Sequence, residues 1–295
     1  MSPSISVYVP SHKRPDKLST ALDSILEQTY SDLEVIVVLD GRCQQSLKIL
    51  EEKSKKDHRV SYLLNESPRG ACNARNRAIE VAKGDFITGL DDDDVMKSDC
   101  LEVYMKNWSD DFAFICASYD FTGEVANNLT GKSFVIKEND LIKMNYVGNQ
   151  IFTRIETLKA VMFDETLKAW QDYDCWLRIL KITGKSSLKL NNKLYFVDVD
   201  PNRESITTQS NASKGAIQFL QKHASLYDGK FHVWLFNDLA NRRQSIPFWL
   251  LLSLFGTSMF YRGLYLSLKH SFFHKYVINC KNFFTTIVNA FGGRS

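Results

Sequence analysis

Four short apolar runs alternate with three helical patterns across the first ninety residues, and that alternation limits the fold more than any other feature. Residues 4–9 read as a strand ended by Pro10. Residues 15–28 follow with Leu18, Leu22, Ile25 and Leu26 at helical spacing. Residues 34–39 form a near-continuous apolar run, the mark of a strand buried on both faces. A helix over 46–56, a strand over 60–64, a helix over 71–83 closed by Gly84 and a strand over 86–90 complete the series. Such alternation predicts an α/β fold with a mostly parallel sheet between helices. Ligands of such sheets sit beyond the carboxyl ends of the strands. The three most distinctive polar loops, 11–14, 40–42 and 91–94, all lie at those ends.

The fourth strand runs straight into four carboxylates, Asp91, Asp92, Asp93 and Asp94. Alternate residues of a strand face the same side, so Asp91 and Asp93 are expected to point together into a cleft. Converging carboxylates need a cation, and hard oxygen ligands favour Mg2+ or Mn2+, ions that also take substrate phosphates. A solvated acidic loop, or a calcium site that only stabilises, would read the same from these four residues.

Past residue 110 the pattern loosens, with strands expected over 112–118 and 193–199 and a helix over 172–182. The net charge of +3 hides a division: residues 216–295 carry nine Lys or Arg against Asp228 and Asp238, leaving −4 for the first 215. The tail also holds an uncharged aromatic run, 246–261, interrupted by Pro247 and Gly256 and bordered by Arg242, Arg243, Arg262, Lys269 and Lys275. Apolar aromatic surface flanked by cations suits a helix lying in the plane of an anionic membrane. A helical hairpin packed on the rest of the chain, or on a homodimer partner, is the alternative. No segment reaches the ~18 uninterrupted apolar residues of a spanning helix. Six scattered cysteines without a CxxC pair read as reduced core residues of a cytosolic protein.

Five ordered blocks together resemble the family 2 glycosyltransferases. They are Val7-Tyr8-Val9-Pro10-Ser11-His12-Lys13-Arg14; Ser24-Ile25-Leu26-Glu27-Gln28-Thr29-Tyr30; Glu34-Val35-Ile36-Val37-Val38-Leu39-Asp40-Gly41; Gly70-Ala71-Cys72-Asn73-Ala74-Arg75-Asn76; and Gly84-Asp85-Phe86 through Asp94. Trp170-Gln171-Asp172 resembles the family's later acid motif. The likeness spans about residues 4–210, and ordered blocks are far more specific than one motif. It implies a GT-A fold and an inverting transferase that uses a nucleotide-diphosphate sugar. It divides the chain into a catalytic domain over 1–212, with a nucleotide-sugar half (1–110) and an acceptor half (111–212), and a helical region over 213–295.

By that resemblance, Asp40 and Arg75 match positions that contact the nucleotide base, and Pro10 and His12 line base and ribose. Relatives often carry Asp-Asp where this chain has Leu39-Asp40. Asp91 and Asp93 match the DxD positions, Asp93 binding the metal directly and Asp91 near the ribose or the metal's waters, with Asp92 in the donor-contact set. Asp94 positions the loop or caps the next helix. Asp172 matches the catalytic base, with Gln171 in place of the family's Glu. Asp174 is its competitor, expected instead to pair with Arg178 four residues on. Trp170 either stacks on a sugar ring or packs in the core. Gly148-Asn149-Gln150 is a candidate acceptor contact. Arg203, with Ser205 and Thr207, resembles a segment that closes over the diphosphate.

The expected activity is transfer of a hexose or N-acetylhexosamine from a UDP-sugar to a lipid-diphosphate-linked glycan, at the inner face of a membrane, as in O-antigen or capsule assembly. No nucleic-acid partner is expected. A sugar nucleotidyltransferase is the enzyme alternative, but it would carry a Gly-rich phosphate loop where this chain has Pro10-Ser11-His12-Lys13-Arg14. A non-catalytic glycan- or nucleotide-binding assembly subunit is the other.

Overall fold

The structure is a computed structural model that describes residues 3–121, 132–143 and 145–198, with a few positions between 215 and 223. The chain divides into two compact units, Met1–Glu204 and Ser205–Ser295. Arg203 and the aromatic run at 246–261 lie outside the described residues.

The first unit is built on a five-stranded sheet. Strand β1 (Ile5–Ser11) is buried throughout, as is nearly all of β2 (Leu33–Asp40). Helix α1 (Pro15–Leu26) joins them, and α2 (Gln44–Lys56) leads from β2 to β3 (Val60–Asn65). Helix α3 (Ala71–Val81) then crosses to β4 (Phe86–Gly89) on the other side of β1. The strands β3-β2-β1-β4 are parallel, as the alternation predicts. Ile5, Val7 and Val9 pack with Val35, Val37 and Leu39 against Leu18, Leu22 and Ile25 of α1 and Leu47 and Leu50 of α2. The period of two leaves Tyr8, Ile36 and Val38 for the face that α3 covers.

Pro10 does not end β1; the strand runs on to Ser11. The Leu90 amide donates to the Tyr8 carbonyl at 3.0 Å, so Tyr8 and, two residues on, Pro10 face β4. That strand stops at Gly89, and the missing proline amide deprives the ladder of nothing. Because chain order reverses across β1, a crevice opens at the carboxyl ends of β1 and β4, where such sheets bind ligands.

After the Asp quartet come β5 (Val95–Met96), α4 (Cys100–Asn107), β6 (Phe112–Phe121), β7 (Phe134–Ile136), α5 (Glu138–Lys143), β8 (Thr153–Arg154), α6 (Ile155–Val161), α7 (Gln171–Thr183) and β9 (Ser186–Val197). Strand β8 closes the first sheet antiparallel to β4. A second sheet runs β5-β9-β6, with β7 also on β9. A ladder of aromatic rings ties the sheets together: Phe86 stacks on Phe152 at 5.0 Å and Phe152 on Tyr104 at 5.1 Å. Among the described residues no helix is long and apolar enough to cross a membrane.

Candidate active site

The Asp quartet begins two residues after β4 ends, so strict strand alternation does not reach it. It forms a turn instead, with the Asp94 amide donating to the Asp91 carbonyl at 3.0 Å. The turn sends neighbouring carboxylates to different partners. Asp92 and Asp93 share Arg14, whose Nη1 lies 3.0 Å from Asp92 Oδ1 and 2.7 Å from Asp93 Oδ2. Asp91 turns to Arg75. Asp94 accepts from the Asp198 amide at 3.2 Å, fastening the turn to the end of β9. It does not cap α4, which begins after Asp99. Gly89 makes the approach possible: a Cβ there would stand 2.3 Å from the Tyr8 ring and 2.4 Å from Gln150 Oε1.

The loop from β1 to α1 clasps this turn. The His12 amide donates to Asp92 Oδ2 at 3.2 Å, and His12 Nδ1 meets the Asp40 carbonyl. Lys13 adopts φ 53°, a left-handed conformation that L residues adopt at some strain. Pro10 is buried at the end of β1 beside this loop. At the end of β2, the Asp40 carboxylate accepts from Asn65 Nδ2 at 2.8 Å and from the Arg69 and Gly70 amides at 2.7 Å each. Gly70 has φ 96°, which favours glycine where the loop turns into α3. Asp40 thus fixes the loop before α3, and base contact would be an additional task for it.

Helix α3 carries Arg75 under the crevice. Its guanidinium, 7% exposed, reaches Asp91 Oδ1 through Nη2 at 2.9 Å and Asp172 Oδ1 through Nη1 at 3.1 Å. It also lies 5.3 Å over the Phe163 ring. Burial opposes its charge, but Asp172 and Asp91 hold its pKa well above the ordinary value. Asp172 sits in the first turn of α7 with its side chain 27% exposed. Desolvation pushes its carboxyl up to about 6, against the pull of Arg75 and with help from Asp91. A carboxylate poised there suits a general base near neutral pH.

Asp174 faces elsewhere. Fully buried, it takes Arg178 Nε at 2.8 Å, while Arg178 also donates to the Val161 and Met162 carbonyls. This is the structural pairing the i,i+4 spacing predicts. Trp176 is buried and donates through Nε1 to the Gly148 carbonyl at 3.0 Å. Trp170 is half-buried, edge-on to Tyr173 at 6.4 Å between ring centroids. Asn149 Nδ2 stands 3.4 Å from both Asp91 Oδ2 and Asp94 Oδ2, bringing the 148–150 loop to the quartet. Gln150 accepts from the Tyr8 hydroxyl at 3.3 Å.

Six residues singled out from the sequence therefore form two linked groups, Arg75–Asp91–Asp172 and His12–Asp92–Asp40. Arg14 joins Asp93 to the second, a role that sequence reasoning missed. The available signal was electrostatic: four adjacent carboxylates need a cation, and Arg14 lies in the loop after the neighbouring strand. Among the described residues no three His, Cys, Asp or Glu side chains converge to hold an ion by themselves. Hard carboxylate oxygens, with the Arg14 cation already drawn to Asp93, still fit Mg2+ or Mn2+ that completes its shell with water and phosphate oxygens.

Comparison with known proteins agrees with this architecture. The sequence model of the family described as glycosyl transferase family 2 matches residues 6–167. WcaA of Escherichia coli K12, named as a colanic acid biosynthesis glycosyl transferase, is 32% identical over 256 residues, 83% of this chain and 91% of that one. WfgD of Escherichia coli, a UDP-Glc:α-D-GlcNAc-diphosphoundecaprenol β-1,3-glucosyltransferase, is 30% identical over 62% of this chain and 72% of its own. The mannosyltransferase PcManGT of Pyrobaculum calidifontis, solved with GDP-Man and Mn2+, superposes with a TM-score of 0.57 at 14% identity, covering 100% of this chain and 89% of that one. The solved structures that this chain resembles are GT-A glycosyltransferases, so the fold is GT-A.

Proposed function

Because the chain belongs to glycosyl transferase family 2, we propose that this glycosyltransferase is metal-dependent and inverting, and moves a hexose or N-acetylhexosamine from a UDP-sugar to a polyprenyl-diphosphate-linked glycan. Family membership sets aside the sugar nucleotidyltransferase. The observation that carries the reading is the Arg75 bridge: one buried guanidinium joins Asp91, at the donor end of β4, to Asp172, whose raised pKa equips it as a base.

The donor diphosphate lies in the crevice past β1 and β4, with its base and ribose along Pro10, His12, Asp40 and the start of α3. Asp93 and Asp91 would hold Mn2+ or Mg2+, which when bound neutralises charge on the diphosphate leaving group. Asp172 takes the proton of the acceptor hydroxyl as that oxygen forms its bond to the anomeric carbon. The bond from that carbon to the diphosphate breaks on the opposite face, and nucleoside diphosphate leaves with the electron pair. Arg75 keeps Asp172 oriented and limits how far its pKa rises.

The acceptor class follows WfgD, whose name specifies a diphosphoundecaprenol-linked sugar. The division into a catalytic region over 1–212 and a helical basic region over 213–295 belongs to this reading. So does peripheral attachment to the inner face of the cell membrane through that second region. Release of UDP from a panel of UDP-sugars, in Mn2+ and in Mg2+, with a synthetic polyprenyl-diphosphate sugar as acceptor, tests it. A metal-requiring, acceptor-stimulated release supports the reading. Release that is unaffected by EDTA, or none from any UDP-sugar while a GDP- or dTDP-sugar is used, overturns the metal or the nucleotide respectively. A protein that binds donor and never turns it over is an assembly subunit instead.

A further inference from the structure

Beside the Arg75 bridge the crevice holds a second cation whose task the reaction outlined above does not use. Arg14 spans Asp92 and Asp93 at 3.0 and 2.7 Å. The two carboxylates are almost closed off, with side chains 5% and 1% exposed, while Arg14 itself is 29% exposed. Its backbone is anchored, since its carbonyl accepts the Leu18 amide at 3.0 Å at the start of α1. The guanidinium rides on a long side chain above that anchor, and adjacent buried carboxylates supply its partners.

We propose that Arg14 is a diphosphate-binding residue held in reserve: in the free enzyme it neutralises Asp92 and Asp93, and on loading it passes to the diphosphate of the nucleotide sugar. The proposal rests on the donor reading given above. A divalent ion on Asp93 would stand within a few ångströms of the guanidinium, and like charges at that separation repel. Arg14 then needs another anionic partner. A diphosphate provides one whose geometry matches the planar guanidinium fork, two N–H groups to two oxygens. The anchored backbone keeps Arg14 at the mouth of the crevice, between the end of β1 and the Asp turn. Metal alone must therefore displace Arg14 without compensation, whereas metal with nucleotide gives it a new partner. Binding of the two becomes cooperative, and linkage makes the effect reciprocal.

The test is Mn2+ affinity of the full-length protein, by electron paramagnetic resonance or calorimetry, without and with UDP, in wild type, Arg14→Gln and Arg14→Lys. In wild type, UDP is expected to tighten Mn2+ by about tenfold or more. Arg14→Gln is expected to bind Mn2+ alone several-fold more tightly than wild type and to lose most of the tightening by UDP. Arg14→Lys, which keeps the charge and loses the fork, is expected to hold the wild-type affinity for Mn2+ alone and show reduced tightening. A Gln variant with unchanged or weaker Mn2+ affinity, or with the full effect of UDP, overturns the proposal. If thermal melting shows the Gln variant unfolded, the Lys variant decides, and tightening equal to wild type overturns it. A wild-type protein that binds no UDP in Mn2+ would instead overturn the donor reading itself.

Discussion

Asp91 and Asp172 are held on one guanidinium: Arg75 reaches the first at 2.9 Å and the second at 3.1 Å. One carboxylate belongs to the turn after β4 and the other to the start of α7, so a single buried side chain ties those two segments together. Removing Arg75 leaves two partly buried carboxylates facing each other without a counter-ion.

The first expectation concerns Asp172. Asp172→Asn keeps the shape and loses the base, so turnover should fall at least ~100-fold while UDP affinity stays near that of wild type. Because the wild-type carboxyl titrates at about 6, turnover should rise as pH passes upward through that value. Stability follows the opposite course. The unfolded chain loses this proton near 3.8 and the native state near 6, so between those values the native state binds more protons and stability falls as pH rises. Turnover and denaturation midpoints across pH 4–8 measure both. A dead Asp174→Asn beside an active Asp172→Asn would move the base to the other carboxylate.

Arg75→Gln should shift that acid limb upward, because Arg75 is what opposes desolvation at Asp172. Turnover at pH 7 should fall by more than UDP affinity, since the pair acts on the base as well as on Asp91. A pH profile identical to wild type, only lower, would show that Arg75 does not set the base.

Much of this was legible in the sequence, and the exceptions have physical causes. Strands β1, β2 and β4 are buried on both faces or nearly so, and their apolar runs show it. Strand β9 was expected only from residue 193, but it begins at Ser186: exposed Asn191 and Asn192 interrupt its pattern in the middle. Two-residue strands such as β5 and β8 have no periodicity to read. Asp172 and Arg75 are each singled out, yet their pairing spans 97 residues of chain, and only the tertiary fold, in which α6 packs on both α3 and α7, creates it. The separation of Asp91, on Arg75, from Asp92 and Asp93, on Arg14, depends on a turn that strand alternation does not foresee.

Asp174→Ala should be a stability variant. Its side chain is fully buried and holds Arg178, which in turn ties α7 to the end of α6 through the Val161 and Met162 carbonyls. Breaking a buried pair leaves an uncompensated charge, a loss of about 3 kcal/mol here, at the low end of the usual range because Arg178 retains some solvent contact. The denaturant midpoint should drop accordingly, with UDP affinity of the folded fraction unchanged. Wild-type stability with lost turnover would contradict the structural role.

The tail supplies the last prediction. Residues 216–295 combine a charge of +7 with the aromatic run at 246–261 and four of the six histidines. An apolar run of that length would invite aggregation if it were exposed and uncovered. Anionic lipid is suited to the task, since each Lys or Arg near the surface adds about 1 kcal/mol of attraction. A polyprenyl-linked acceptor would also present its hydroxyl near that surface. Full-length protein should therefore sediment with vesicles containing anionic lipid, and less so as salt rises. Truncation after residue 240 should preserve UDP binding and impair transfer to a polyprenyl-diphosphate acceptor more than to a short soluble one. Indifference to vesicles at low salt, together with a change from dimer to monomer on truncation, would assign the tail to a homodimer interface. Indifference without that change would leave a hairpin packed on the rest of the chain.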